Sequence, residues 1–344
     1  MKFYFNIAFI LCVAVLSAGL AVAQPYGNEW IVSGQTYYKI PVGKTGMYAL
    51  SHADLLNAGI PLNTIDPHKL QIWRRGVEQA ILVKGQADNS FDNADSLFFY
   101  GQINDGKMET SLYLSPAYQP HTYYSLFNDT SAYFLTWTSS GNGKRMPQFS
   151  AANTAQAVSP YQIHRDLTLY TTEYDRGQGY SIETFLTQYD QGEGWFGSAL
   201  PGTSTITLNT SSLYSSGPLP QLEIEFVGRN INGQTVEVSF GSFSDTIFFA
   251  GHSVYKISQP VAFADFTGSD LPVKIRILSG LVSLAYIKLD YPQLTDLQGA
   301  AAQYIHLFPT AQDTSFLQFS NPPANASVYD ITDTDNIRII GSKM

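Results

Sequence analysis

Cysteine is almost absent from this chain of 344 residues. Its one cysteine, Cys12, lies inside the opening apolar stretch, so residues 24–344 contain none. That excludes disulfides, thiolate metal sites and a thiol nucleophile from that segment. Leu11, the residue before Cys12, is too large for a lipoprotein cleavage site, which argues against a lipid anchor. Charged side chains are scarce too, at 14%, so the surface must be covered by Ser, Thr, Asn, Gln and Tyr. After the amino terminus no apolar run is long enough to span a bilayer. The motifs of several enzyme classes are missing. The six histidines (His52, His68, His121, His164, His252, His306) form no H-E-x-x-H or other close ligand pair, and no G-x-S-x-G occurs. Gly43-Lys44-Thr45 lacks the earlier glycine of a phosphate loop, because Tyr38 stands there. Gly192-Glu-Gly194-Trp-Phe-Gly197 fits G-x-G-x-x-G, but Pro201 would break the helix that a dinucleotide site needs.

Met1–Ala23 reads as a secretory signal peptide. Lys2 gives the positive start, Phe5–Leu20 the apolar centre, and Ala21-Val22-Ala23 before Gln24 the cleavage site. The chain is therefore expected to be exported, to the periplasm, the outer-membrane surface or the medium. Removing this segment takes one lysine and no acid from a net charge of −9, leaving −10. Such a chain should not favour nucleic acid or anionic lipid.

The remaining sequence predicts a mainly β protein in two parts: an amino-terminal β-rich domain over 24–150 with one short helix, then a jelly-roll or Ig-like β-sandwich over 161–295. Residues 147–160, small, polar and bounded by prolines, mark the boundary, with the linker at 151–160. Residues 296–344 form a carboxy-terminal extension. In the first part Trp30–Val32, Thr36–Ile40, Leu70–Arg75, Gln79–Lys84, Ser96–Tyr100, Tyr123–Phe127 and Ala132–Trp137 are expected strands between Gly, Asn and Asp punctuation. Ser51-His-Ala-Asp54 is a capping box by type, and Gly59 should close the helix it starts. In the second part Leu167–Tyr174 and Tyr180–Thr187 are expected strands. Period-2 alternation then marks Ile206–Leu208, Leu222–Phe226, Val236–Phe240 after a hairpin signal at Asn232-Gly233, Val273–Ile277 and Ala285–Tyr291. Glu223 and Glu225 should lie on a solvated strand face. Val328–Ile331 and Ile337–Ile340 should pair as a hairpin.

Two features invite a ligand. Asp88, Ser90, Asp92 and Asp95 have the oxygen spacing of a small calcium loop, making calcium the one cofactor to consider. Phe99 and Asn93 stand where an EF-hand needs Glu and Gly, and an Asx-rich turn explains the same residues. Trp195 is the other feature, as a sugar or peptide contact or as a ring packed at a domain junction.

The succession "IDPHKLQIWRRG", "FDNADSLFFYG" and "YYSLFNDTSAYFLTW", followed by "YDQGEGWFG" and "VYDITDTDNIRII", resembles the amino-terminal, non-catalytic region of gingipain-like (C25) cysteine peptidases, including the sortase-like member of the type IX secretion system of Bacteroidota. The resemblance implies a structural or partner-docking module at the cell surface, with protein partners in the type IX machinery. It places the peptidase domain beyond Met344; the catalytic His and Cys of that family have no counterpart here. Two alternatives stay open: a stand-alone carbohydrate-binding β-sandwich, for which a glycan is the partner, and a hydrolase with an unrecognised site.

Overall fold

The computed structural model of the protein describes residues 27–150, 157–181, 187–307 and 315–341. The expected signal peptide and most of the expected linker lie outside the described residues. The fold is mainly β, with antiparallel sheets and few helices. The chain forms two compact units. One comprises the described residues up to Gly101 with Ala132–Pro147 and Asp330–Arg338; the other holds Gln102–Ser131, Gln148–Tyr329 and Ile339 onward.

The first unit is built from strands β1 (Tyr38–Val42), β2 (Gly46–Ser51), β3 (Leu70–Arg74), β4 (Val77–Gln79), β5 (Leu82–Lys84), β6 (Ser96–Gly101) and β7 (Ser131–Trp137). They form two sheets, ordered β1-β7-β3-β4 and β2-β6-β5. Alternation sends Leu70 and Ile72 of β3, Leu97 and Phe99 of β6, and Tyr133 and Leu135 of β7 into one core. The helix His52–Asn57 begins as the capping box predicts: Asp54 N–H donates to Ser51 Oγ (3.2 Å) and Ser51 N–H to the Asp54 carboxylate (2.9 Å). Gly59 follows at φ 80, the left-handed geometry that ends helices. Leu55 is the residue the helix buries. Two expectations fail here. Trp30–Val32 forms no strand; Trp30 stacks on Trp73 at 5.5 Å and meets Tyr37 edge-on at 5.3 Å. Gln79–Lys84 is not one run, since the ladder breaks at Ala80 and Ile81, where Ala80 N–H donates to the Asp335 carbonyl.

The second unit is an eight-stranded sandwich with additions. Its strands are β8 (Gln148–Ser150), β9 (Tyr161–Leu169), β10 (Glu173–Arg176), β11 (Glu193–Phe196), β12 (Thr203–Asn209), β13 (Gln221–Gly228), β14 (Gly233–Phe240), β15 (Phe243–Ala250), β16 (Val254–Pro260), β17 (Asp270–Ser279), β18 (Val282–Leu294), β19 (Val328–Asp330) and β20 (Arg338–Gly341). Sheets β12-β17-β14-β15 and β16-β13-β18-β9 face each other, and the chain passes between them at nearly every connection, as in jelly rolls. Leu222, Ile224 and Phe226 meet Val236, Val238, Val273, Ile275, Ile287 and Leu289 in the shared core. Fully burying such a side chain is worth roughly 1.5–3 kcal/mol. An exposed ion pair such as Glu237–Arg276 is screened by solvent and adds little beside this, so the core decides the stability.

Asn232-Gly233 does not make the expected hairpin, because β13 and β14 lie in opposite sheets. Tyr180 and Ser181 belong to the short helix Gly177–Ser181 rather than a strand, and 182–186 lie outside the described residues. Tyr123–Phe127 is irregular: Ser125 Oγ and the Leu126 N–H both donate to the Glu109 carboxylate, at 2.5 and 2.8 Å, in place of a ladder.

Candidate functional site

The outer face of sheet β16-β13-β18-β9 is where the second unit departs most from a plain sandwich. At Glu225/Phe226 a bulge between β13 and β18 turns both Ala285 and Tyr286 outward. With Val227, Leu167 and Leu169 they make a second apolar cluster, on which Phe196 and Tyr123 pack. Tyr123 meets Tyr286 edge-on at 5.2 Å. This cover explains a correction. Glu225 is not on a solvated face; it is 7% exposed. Lys256 lies 3.3 Å from Glu225 and 3.7 Å from Glu223, and Lys288 lies 3.1 Å from Glu223. The Tyr286 hydroxyl donates to Glu223. The two carboxyls respond oppositely. Burial pushes Glu225 up, while at Glu223 the Tyr286 hydroxyl and Lys288 outweigh burial and hold it below the usual range.

Phe196 belongs to the hairpin β10–β11. Its register pairs Glu173 with Phe196, Tyr174 with Trp195 and Arg176 with Glu193. One hairpin face carries Phe196, Glu173 and Asp175. There Arg229 lies against Glu173 (2.5 Å) and Asp175 (3.5 Å) and over the Phe196 ring (5.2 Å). The other face carries Tyr174, Trp195 and Glu193. The turn leading into β11 needs glycine: Gly192 has φ 73, and a Cβ there would sit 2.4 Å from the His252 carbonyl.

On that second face the aromatic side chains gather. Trp195 packs beside Tyr174 (5.4 Å) and Tyr124 (6.2 Å), and its indole N–H donates to the Leu126 carbonyl (3.2 Å). The Tyr174 hydroxyl donates to Glu193 Oε1 at 2.7 Å, and the Asp190 N–H to Oε2 at 3.1 Å. The buried Tyr113 donates to the Glu193 main-chain carbonyl at 2.7 Å and lies 5.5 Å from Tyr189, whose ring is 6.2 Å from Phe127. Burial raises the Glu193 carboxyl above its ordinary value, against the two hydrogen bonds and the more distant Arg176. No Lys, Arg or His among the described residues lies within ion-pairing distance of it. Beneath this layer His121 is buried. Its Nε2 donates to the Trp195 carbonyl at 3.1 Å, and its Nδ1 has no partner among the described residues.

Trp195, singled out from sequence, thus sits half-buried within one unit, inside an aromatic group. The residues around it, Glu193 and Tyr174 above all, escaped sequence reading. The usable signal was the period of two in Glu193-Gly-Trp195, which puts acid and indole on one strand face.

The other predicted group lies in the first unit. Asp88, Ser90, Asp92 and Asp95 form a turn whose oxygens serve the turn itself. Asp88 accepts from the Ser90 N–H (3.0 Å), Asp92 from Ser90 Oγ (3.0 Å) and Asp95 from the Asp92 N–H (2.8 Å). Asp95 packs on Gly85, where φ is 92 and a Cβ would fall 1.6 Å from its Oδ1. Phe91 fills the core below. Among the described residues no group of three or more His, Cys, Asp or Glu is arranged to hold a metal, and no helix is long and apolar enough to cross a membrane.

No protein-family model matches the chain, and no curated protein sequence matches it. Solved structures do. The CBM36-1 domain of a multidomain xylanase from the hindgut metagenome of Trinervitermes trinervoides is 12% identical over 37% of this chain and 96% of that one, with a TM-score of 0.23, and a CBM36 module in complex with calcium and xylotriose is 10% identical over 37% and 98%, with a TM-score of 0.20; scores this low carry no argument. Dimeric latent PorU from Porphyromonas gingivalis matches with a TM-score of 0.61 and 15% identity, over 90% of this chain and 29% of that one. The chain therefore shares a fold with part of PorU along nine-tenths of its own length, and spans less than a third of the PorU chain.

Proposed function

We propose that residues 24–344 are the non-catalytic amino-terminal module of a gingipain-like peptidase of the type IX sortase kind, with a structural or partner-docking role at the cell surface. The observation that carries the reading is the fold likeness to PorU across both units. The sequence resemblance to the same region of gingipain-like peptidases supports it, as does the lack of cysteine after residue 23, which leaves no thiol nucleophile in this segment. Partners in the type IX machinery follow from the reading. The reading does not require calcium; the Asp88–Asp95 carboxylates accept hydrogen bonds within their own turn.

The test is expression of the tagged chain in a member of the Bacteroidota that has a type IX system. The reading predicts cleavage of the chain by protease added to intact cells, and co-purification with a type IX component. Protection in intact cells with no such partner would overturn it. A glycan-binding β-sandwich is the second reading, favoured by the half-buried Trp195 with its tyrosine neighbours.

A further inference from the structure

We propose that Glu193, walled by Tyr174, Trp195 and Tyr189, receives the ammonium group of a lysine side chain in a partner peptide, whose apolar neighbours lie on Leu114 and Phe127. The proposal gives the docking role above a chemistry, and rests on that reading only for the use of the binding; the binding itself rests on these residues.

Three observations carry it. The first is a half-buried carboxylate with no ion-pair partner among the described residues. Glu193 accepts hydrogen bonds from the Tyr174 hydroxyl (2.7 Å) and the Asp190 N–H (3.1 Å), yet among the described residues no cation lies within ion-pairing distance of it, and Arg176 acts on it only from further off. A neighbouring acid, the buried Glu109, likewise accepts from Ser125 Oγ and the Leu126 N–H, with no ion pair among the described residues. A half-buried carboxylate without a counter-ion gains from an incoming cation what an exposed one does not. Its raised carboxyl agrees with this environment.

The second is the aromatic wall. Tyr174 and Trp195 meet at 66°, and Tyr189 and Phe127 at 73°. In each of these edge-to-face pairs a ring face that the partner ring does not cover can attract a compact ammonium. A planar guanidinium stacks best on a single ring.

The third is what surrounds the acid. Tyr189 exchanges main-chain hydrogen bonds with Leu112 (2.9 Å) and Leu114 (3.1 Å). That alternation buries Tyr113 and leaves Leu112 and Leu114 40% and 51% exposed, while Phe127 is 68% exposed. An apolar shelf beside a carboxylate matches a peptide in which lysine is flanked by apolar residues, and the overall net charge of −9 favours a basic partner.

The experiment is a calorimetric titration of residues 24–344 with acetyl-Leu-Lys-Leu-amide. The Nε-acetyl-lysine peptide, uncharged and longer by one acetyl group, runs beside it, as do a norleucine peptide, which keeps the aliphatic stem without the charge and should bind as weakly as the acetylated form, and a xylo-oligosaccharide. The lysine peptide is expected to bind at least tenfold tighter than its acetylated form. It should weaken as salt rises, and should lose at least tenfold with Glu193→Gln, which keeps an acceptor for Tyr174. The charged-against-acetylated comparison needs no variant, so misfolding of Glu193→Gln cannot hide a failure. Equal binding of the charged and uncharged peptides, no binding of any, or saccharide binding alone that is lost in Trp195→Ala would each overturn the proposal. Co-purification with type IX components could survive any of these, so failure here is separable from failure of the module reading.

Discussion

His121 shows how one buried ring ties stability to pH. Burial pushes its pKa down from 6.5 to about 4, only partly opposed by its hydrogen bond to the Trp195 carbonyl. A histidine with a folded pKa below its unfolded one resists protonation in the native state. Between pH 6.5 and 4 the unfolded chain takes up a proton that the native chain refuses, so stability falls as the medium is acidified. His121→Gln stays neutral and can still donate to the Trp195 carbonyl. Urea unfolding at pH 7 and pH 4.5 should show wild type losing about 2 kcal/mol more than the variant on that shift. Equal losses would place the acid sensitivity elsewhere. The sequence named His121 as one of six scattered histidines and could go no further, because its burial depends on Trp195, 74 positions away. Glu225 was misjudged for the same reason. Alternation correctly put it on the face opposite Ile224, but the cover supplied by Tyr123 is a long-range contact that no local period encodes.

Among the elements, strands were legible where alternation was strict, as in β13, β14, β17 and β18. They were lost where it was not. β15 runs Phe243-Ser-Asp-Thr-Ile-Phe-Phe-Ala250, with Phe248 facing solvent between two buried residues, which breaks the pattern. The capping box was legible because its chemistry is contained within four residues. The hairpin β10–β11 depends on Arg229, which reaches it from the end of β13 to hold Glu173 and Asp175. Arg229→Met should loosen the hairpin by about 1.5–3 kcal/mol, the range for hydrogen bonds to charged groups. Amide exchange at Tyr174 and Trp195 should then quicken at least tenfold while Ile224, deep in the sandwich, is unchanged. Unchanged exchange at all three would mean that Phe196 alone fixes the hairpin.

For the whole molecule, a mainly β architecture with a sandwich was readable from composition, turn residues and period. What no local pattern announced is that Ala132–Pro147 and Asp330–Arg338 close the first unit. Their contacts join residues far apart in the chain: Lys144 Nζ donates to the Asp335 carbonyl at 2.9 Å, and Gln79 Nε2 to the Asp335 carboxylate at 2.9 Å. The site's chemistry was hidden likewise, since Glu193 takes its meaning from tyrosines drawn from three segments. As proposed, residues 24–344 dock partners without cutting them. The most direct test of this is a general peptidase assay of purified residues 24–344, with and without a thiol-blocking reagent. The account predicts no hydrolysis in either case. Hydrolysis that persists with the blocker would contradict it and turn attention to the serines, histidines and carboxylates of the segment.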